Sequence, residues 1–260
     1  AIFDIEDAVS VSKKDFAIDN VVSFLQDWTE RDGMQTIIRT NGLDTKWGAS
    51  DLAKIAIASK NFSQSGLVDG ILIPKVCTLD LVKKVDAIMK ENGNSGIPLW
   101  CMIETPHGVH HAHEIASFGR VEGLVFGSND LSKDLRATQV PNREPLLYGM
   151  HRVINGARMH NKVAIDGVYN NFKDESGFTT QCEQGRTFGF DGKSLIHPAQ
   201  ISACNTVYSP SEEQIEFARA IIEAWHQENG DALGVITVGG KMIEKLHVVE
   251  AEEILARHNL

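Results

Sequence analysis

Seven short apolar runs, at about residues 1–5, 35–40, 70–76, 98–104, 121–127, 162–167 and 190–196, set the first constraint on the fold. Between them lie amphipathic stretches of helical period, at about 13–30, 49–60, 78–92, 108–117, 145–160, 174–188 and 198–205. Apolar runs bounded by Gly and Pro read as strands buried on both faces. Strands that alternate with helices run parallel, because each return to the sheet passes through a helix. Seven such units in roughly 200 residues fit an α/β fold of the (β/α)8 TIM barrel type better than an open doubly wound sheet. The chain opens with Ala1 inside the first run, so the first βα unit of that barrel is expected to lie outside this sequence. No GxGxxG turn follows any strand, which removes the main reason to expect a dinucleotide-binding fold.

Barrel chemistry gathers at the carboxyl ends of the strands. The polar residues at those ends are Glu6 and Asp7, Arg39 and Asn41, Lys75, Glu104, Asp130, Asp166 and His197. Two consecutive strands close on acids, in Met102-Ile103-Glu104-Thr105-Pro106 and Phe126-Gly127-Ser128-Asn129-Asp130. Neighbouring carboxylates suit a hard cation, and two protein oxygens with room for water and substrate is how Mg²⁺ is usually held in enzymes. The plainer role for either acid is to cap the following helix or to meet an Arg. Arg39 likewise suits either a substrate carboxylate or a structural acid such as Glu6 or Asp7. His107, His110, His111 and His113 read mainly as a solvated helix surface, since no HExxH spacing accompanies them.

After the seventh unit, Ser209-Pro210-Ser211-Glu212-Glu213 opens a helix to about Glu228. A short apolar run, Gly234 to Val238, then leads through Gly239-Gly240 to a last helix from about Glu244 to His258. The expected division is a barrel domain at 1–208 and a small helical extension at 209–260, too small for a core of its own and packed on the barrel or a neighbouring subunit. As a residue of the last helix's first turn, Glu244 is either an exposed acid favoured by the macrodipole or a general base.

A net charge of −10 argues against a nucleic-acid surface. Cys77, Cys101, Cys182 and Cys204 show no CxxC spacing, so reduced buried thiols in a cytoplasmic protein are expected. No apolar run is long enough to cross a bilayer, and no membrane partner is expected.

Several motifs, taken together and in order, carry a resemblance. They are Asp4-Ile5-Glu6-Asp7-Ala8-Val9, Arg39-Thr40-Asn41-Gly42, Ile73-Pro74-Lys75, Ile103-Glu104-Thr105, Gly189 to Lys193 with Ile196-His197-Pro198-Ala199-Gln200, and Gly240-Lys241-Met242-Ile243-Glu244. Over essentially its whole length the chain resembles the citrate lyase β-subunit-like CoA-ester lyases of the HpcH/HpaI aldolase group. The resemblance implies a TIM barrel, a homotrimer or hexamer, and Mg²⁺, with Mn²⁺ as a substitute. It also implies cleavage or formation of a carbon–carbon bond in a 3-hydroxyacyl-CoA thioester such as malyl-, citramalyl- or citryl-CoA, with a 2-oxo acid as the second small-molecule partner. By motif position Glu104 and Asp130 carry over as metal ligands and Arg39 as the cation for the substrate's carboxylate. Glu6, Asp7 and Lys75 are the further substrate-binding candidates, and Lys13 and Lys14 are weaker ones for CoA. The late motif of the family supplies an Asp, often acting in the adjacent subunit, where this chain has Glu244. Lyase chemistry is the leading reading, and that departure, with the similarity of Lys241–Val248 to the tails of malyl-CoA thioesterases, makes thioester hydrolysis the alternative. A CoA-independent 2-keto-3-deoxy acid aldolase and a non-catalytic assembly subunit are the remaining readings.

Overall fold

The computed structural model describes residues 1–28, 33–60 and 68–258. Two compact units divide the chain, Ala1–Pro198 and Ala199–Leu260.

The first unit holds strands β1 (Ile2–Asp4), β2 (Ile37–Arg39), β3 (Gly70–Ile73), β4 (Leu99–Ile103), β5 (Val121–Phe126), β6 (Val163–Asp166) and β7 (Gly192–Lys193). Its helices are α1 (Lys14–Asp27), α2 (Gly48–Ser59), α3 (Leu79–Glu91), α4 (Pro106–Ala116), α5 (Ser128–Asp134), α6 (Leu147–Arg158) and α7 (Glu175–Phe188). Every expected strand and helix of this unit is present, and the strands pair in sequence order, each parallel to the next. An order that never reverses, with crossovers of the usual right hand, would place the connecting helices on one face, as in a curled half-barrel rather than a doubly wound sheet. Among the described residues no pairing joins β7 to β1, so the closed eight-stranded barrel expected from sequence is met as a seven-stranded parallel sheet.

Local chemistry explains the elements. All four residues of β3 are buried, as suits a strand covered on both faces. Trp100, paired with Leu72 and Gly123, uses the space that two glycines leave: a Cβ on Gly70 or Gly123 would lie 2.8 Å or 2.4 Å from its ring. The strand carrying Glu104 stops because Thr105 accepts the N–H of Gly108 at 3.0 Å and Pro106 begins α4. The short helix α5 was not foreseen, since its seven residues are too few for a helical period to emerge.

The second unit contains α8 (Gln200–Tyr208), α9 (Glu212–Gln227), α10 (Gly230–Leu233), β8 (Val235–Val238), β9 (Lys241–Glu244) and α11 (Lys245–His258). Ser211 and Gln214 form a reciprocal capping box at the start of α9. Contrary to expectation this unit has an apolar core of its own, built from Ala218, Ile221, Trp225, Ile236, Ile243, Val248 and Ala251. What makes it possible is the antiparallel β8–β9 hairpin, whose second strand the sequence reading leaves unassigned apart from Glu244, placed there at the start of the last helix. No described helix is long and apolar enough to cross a membrane.

One ion-pair cluster ties α3 to the start of β5. Arg120 donates to Asp86 at 2.7 Å and to the carbonyl of Ile97 at 2.7 Å, and Lys90 pairs with Asp86 at 2.7 Å. Burial works to raise the Asp86 carboxyl, but the hydrogen bonds from Lys90 and Arg120 outweigh it and hold the group below the usual carboxylate range. The stabilisation is therefore full above the unfolded pKa of about 4 and is lost as pH falls below it. Asp86→Ala, which strands Arg120, is expected to cost about 3 kcal/mol in urea unfolding at pH 7 and much less near pH 3; an equal cost at both would refute the pairing.

Candidate active site

Glu104 is the first residue beyond β4 and is only 2 % exposed. Its Oε1 accepts the backbone N–H of Lys75 at 2.8 Å. Lys75 follows β3 with φ of +50°, the left-handed conformation that a non-glycine residue adopts only at a cost. On the other side of the carboxylate lies Gly127, where a Cβ would stand 2.3 Å from Glu104 Cβ and 2.6 Å from Oε2. The side chain is thus fixed from two neighbouring strands. Burial pushes its carboxyl up to about 7, against the Lys75 N–H and with the added repulsion of Asp130 and Glu6.

Asp130 lies in the first turn of α5 rather than at the end of β5 itself, and is half-buried. The helix begins at Ser128, immediately after Gly127, and Gly127 donates its N–H to the carbonyl of Ile103 at 3.0 Å. Consecutive parallel strands therefore deliver the two acids to the same end of the sheet.

Arg39 ends β2 in register with Asp4 at the end of β1. Its Nε and NH2 meet the two oxygens of Asp4 at 2.8 and 2.5 Å, a two-point grip. Its NH1 lies 3.1 Å from Glu6, 3.9 Å from Asp7 and 3.6 Å from the sulfur of Met102. Burial opposes both charges, yet the pairing wins, so the Asp4 carboxyl is held below its ordinary value and the Arg39 guanidinium is raised above its own. Sequence reasoning named Glu6 and Asp7 as the acids for Arg39 and missed Asp4. The signal was available, because Asp4 and Arg39 close adjacent strands and so stand side by side.

Glu6 joins this cluster to the other one. Its Oε1 takes the Lys75 ammonium at 2.7 Å while its carboxylate faces Arg39. Lys14 donates to the carbonyl of Glu6 at 2.8 Å and to Asn41 at 2.6 Å, and Asn41 in turn donates to Asp51 at 2.7 Å. Lys14, a weak CoA candidate by sequence, is thereby occupied in pinning the turns after β1 and β2.

The remaining candidates have other partners. Asp166, completely buried, holds Arg143 and Lys193. His197 stacks on Phe172 with centroids 4.6 Å apart. His111 pairs with Glu114 at 3.2 Å on the outer surface of α4. Glu244 belongs to the second unit, where it is the last residue of β9 rather than part of a helical turn, and its backbone N–H donates to His247 at 2.9 Å. All four cysteines are free thiols, three of them buried. Among the described residues no group of three or more His, Cys, Asp or Glu converges to enclose a metal alone. A buried Glu beside an Asp, oxygen donors only, fits instead a hard divalent cation that completes its shell with water and ligand oxygens.

The model of the HpcH/HpaI aldolase/citrate lyase family matches residues 1–198, the whole of the parallel-sheet unit. The chain belongs to this family. Its relatives include a (3S)-malyl-CoA thioesterase of Cereibacter sphaeroides, 42 % identical over 98 % of this chain and 85 % of that one. The citrate lyase subunit beta of Escherichia coli is 34 % identical, over 100 % of this chain and 85 % of its own. Among solved structures, the CitE protein of Mycobacterium tuberculosis in complex with magnesium, acetoacetate and coenzyme A superposes with a TM-score of 0.77, covering 100 % of this chain and 89 % of that chain at 23 % identity. At that distance the likeness is one of fold. Family membership places the HpcH/HpaI match over both clusters, since Asp4, Arg39, Lys75, Glu104 and Asp130 all fall within it.

Gly127→Ala tests the fixation of Glu104, because the backbone φ of −102° suits alanine and only the contact with Glu104 opposes it. The substitution is expected to destabilise the protein by about 1–3 kcal/mol in urea unfolding. A neutral result would mean that Glu104 is free to move aside.

Proposed function

We propose that this protein holds Mg²⁺, or Mn²⁺ in its place, between Glu104 and Asp130 and acts on a 3-hydroxyacyl-CoA thioester of the malyl type. The observation that carries the reading is the buried Glu104 carboxylate, set beside a second acid and lifted toward neutrality by its surroundings. A cation bound there would supply a Lewis acid to the carboxylate and hydroxyl oxygens of the substrate. Arg39, its fork held by Asp4, presents NH1 to a substrate carboxylate. Glu6, itself held by Lys75, keeps that guanidinium in place, and Glu6 and Asp7 accept hydrogen bonds from ligand or water at the same mouth. The family resemblance extends to assembly as a homotrimer or hexamer.

Thioester hydrolysis is the reaction we favour. Water oxygen bonds to the thioester carbonyl carbon, the C–S bond breaks, and the CoA sulfur takes up the proton, leaving the free hydroxy acid. Support comes from the thioesterase relative, 42 % identical against 34 % for the citrate lyase subunit, and from Glu244 at the position where the resemblance implies Asp. The second reading is carbon–carbon cleavage, supported by the citrate lyase relatives. The hydroxyl proton leaves, the bond between the carbinol carbon and the thioester's α-carbon breaks, and the resulting enolate is protonated to give acetyl-CoA and a 2-oxo acid. By the family resemblance, Glu244 of an adjacent subunit is the carboxylate that would serve water in the first reaction and the α-carbon proton in the second.

Incubation of malyl-CoA with the protein and Mg²⁺ is expected to yield malate and free CoA; glyoxylate and acetyl-CoA would assign the second reading, and turnover of a CoA-free 2-keto-3-deoxy acid instead would overturn both. Glu104→Gln is expected to weaken Mn²⁺ binding at least tenfold by calorimetry and to lower turnover by about 100-fold, with an unchanged circular dichroism spectrum. Unaltered metal affinity would remove Glu104 from the site. Glu244→Asp is expected to change the ratio of hydrolysis to cleavage products; the same ratio in both proteins would make Glu244 structural.

A further inference from the structure

Between α5, the segment 138–146 and the loop after β6 lies a pocket of about 290 Å³ that none of Glu104, Asp130, Arg39 or Lys75 lines. Its size is at the lower end for small-molecule sites. No carboxylate lines it, and its one ionised wall residue among those described is Arg143, only 4 % exposed. Behind that wall Arg143 NH1 holds both oxygens of Asp166, at 2.7 and 2.8 Å, and Lys193 Nζ holds one of them at 2.9 Å. Asp166 is fully buried and Lys193 is 7 % exposed. Two interior cations therefore share one carboxylate.

Among the described residues Asp166 is the acid in ion-pair contact with Arg143 and with Lys193. Burial pushes Lys193 toward its neutral form and Arg143 adds to this, while Asp166 opposes it. An interior positive charge without a counter-charge is expensive, and an anion in the adjoining cavity would offset it. The walls suit that occupant. Gln181 lines the pocket and touches both cations, its carbonyl 3.4 Å from Arg143 and its side chain 3.5 Å from Lys193. On its exposed side Asn129 and Asn170 exchange amide hydrogen bonds at 3.2 and 2.7 Å, with Gln139 3.5 Å from Asn129, so neutral amide groups line that edge of the pocket.

We infer that this pocket binds a small oxyanion, the carboxylate of a small acid or an inorganic equivalent, which supplies the negative charge that Arg143, Asp166 and Lys193 lack between them. Asn129 directly precedes Asp130 on α5, so an occupant rests against the helical turn that carries Asp130. The inference does not depend on the reaction proposed above.

Calorimetric titration of the whole chain in chloride buffer with EDTA, using sulfate and malonate separately, tests it. The expected result is one saturable site per chain for at least one of the two anions, malonate alone indicating an organic acid and sulfate an inorganic oxyanion. Thr138→Trp, which fills the cavity from an outer wall, and Lys193→Met, which removes the surplus cation without touching the cavity, are each expected to weaken binding at least tenfold. Arg39→Lys, in the other cationic cluster, is expected to leave it within twofold. No saturable binding of either anion, equal affinity in Thr138→Trp and wild type, or loss on Arg39→Lys alone would overturn the assignment. Thr138→Trp keeps the test decisive should Lys193→Met fail to fold, because it leaves the buried trio intact.

Discussion

The hydrogen bond from the Lys75 backbone to Glu104 is the contact on which the arrangement of the site depends. It spends an unfavourable backbone conformation to place a donor at a carboxylate that is otherwise buried among other acids. The same residue sends its side chain the other way, to Glu6, and so reaches Arg39. Two acids and two bases on four strands are thereby held in one rigid constellation. Burial raises the energy of the charged carboxylate, and the Lys75 N–H and ammonium limit that rise without cancelling it.

Much of this architecture was legible in the chain. Parallel strands covered on both faces leave uninterrupted apolar runs, which is why all seven were found, and the Thr105-Pro106 and Ser211 to Gln214 signals marked helix starts that the structure reproduces. What escaped notice was short or cooperative. The helix α5 is seven residues long, and β9 is four residues beside a Gly-Gly turn, lengths at which period cannot be separated from chance. The core of the second unit also escaped, because it arises only when that hairpin packs on α9 and α11.

Side-chain partnerships were harder to read than elements. Glu104, Asp130 and Arg39 stood out because acids and bases at strand ends are unusual, whereas Asp4 looked like one more residue of an opening strand. Its role follows from register, a relation between strands that no single stretch displays. The trio of Arg143, Asp166 and Lys193 posed the same difficulty, since its members are 23 and 27 residues apart and belong to three different elements or turns.

Strand order has a kinetic meaning as well. Since every strand lies beside its sequence neighbour, two of the bonds that build the site close loops of modest length, 29 residues from Lys75 to Glu104 and 35 from Asp4 to Arg39, while the Lys75–Glu6 pair, 69 residues apart, follows once both are in place. Such closures cost little chain entropy, and each can form once the preceding βα unit is in place. Most of the constellation can accordingly accrete from one edge of the sheet to the other, step by step, with the Lys75–Glu6 pair closing last.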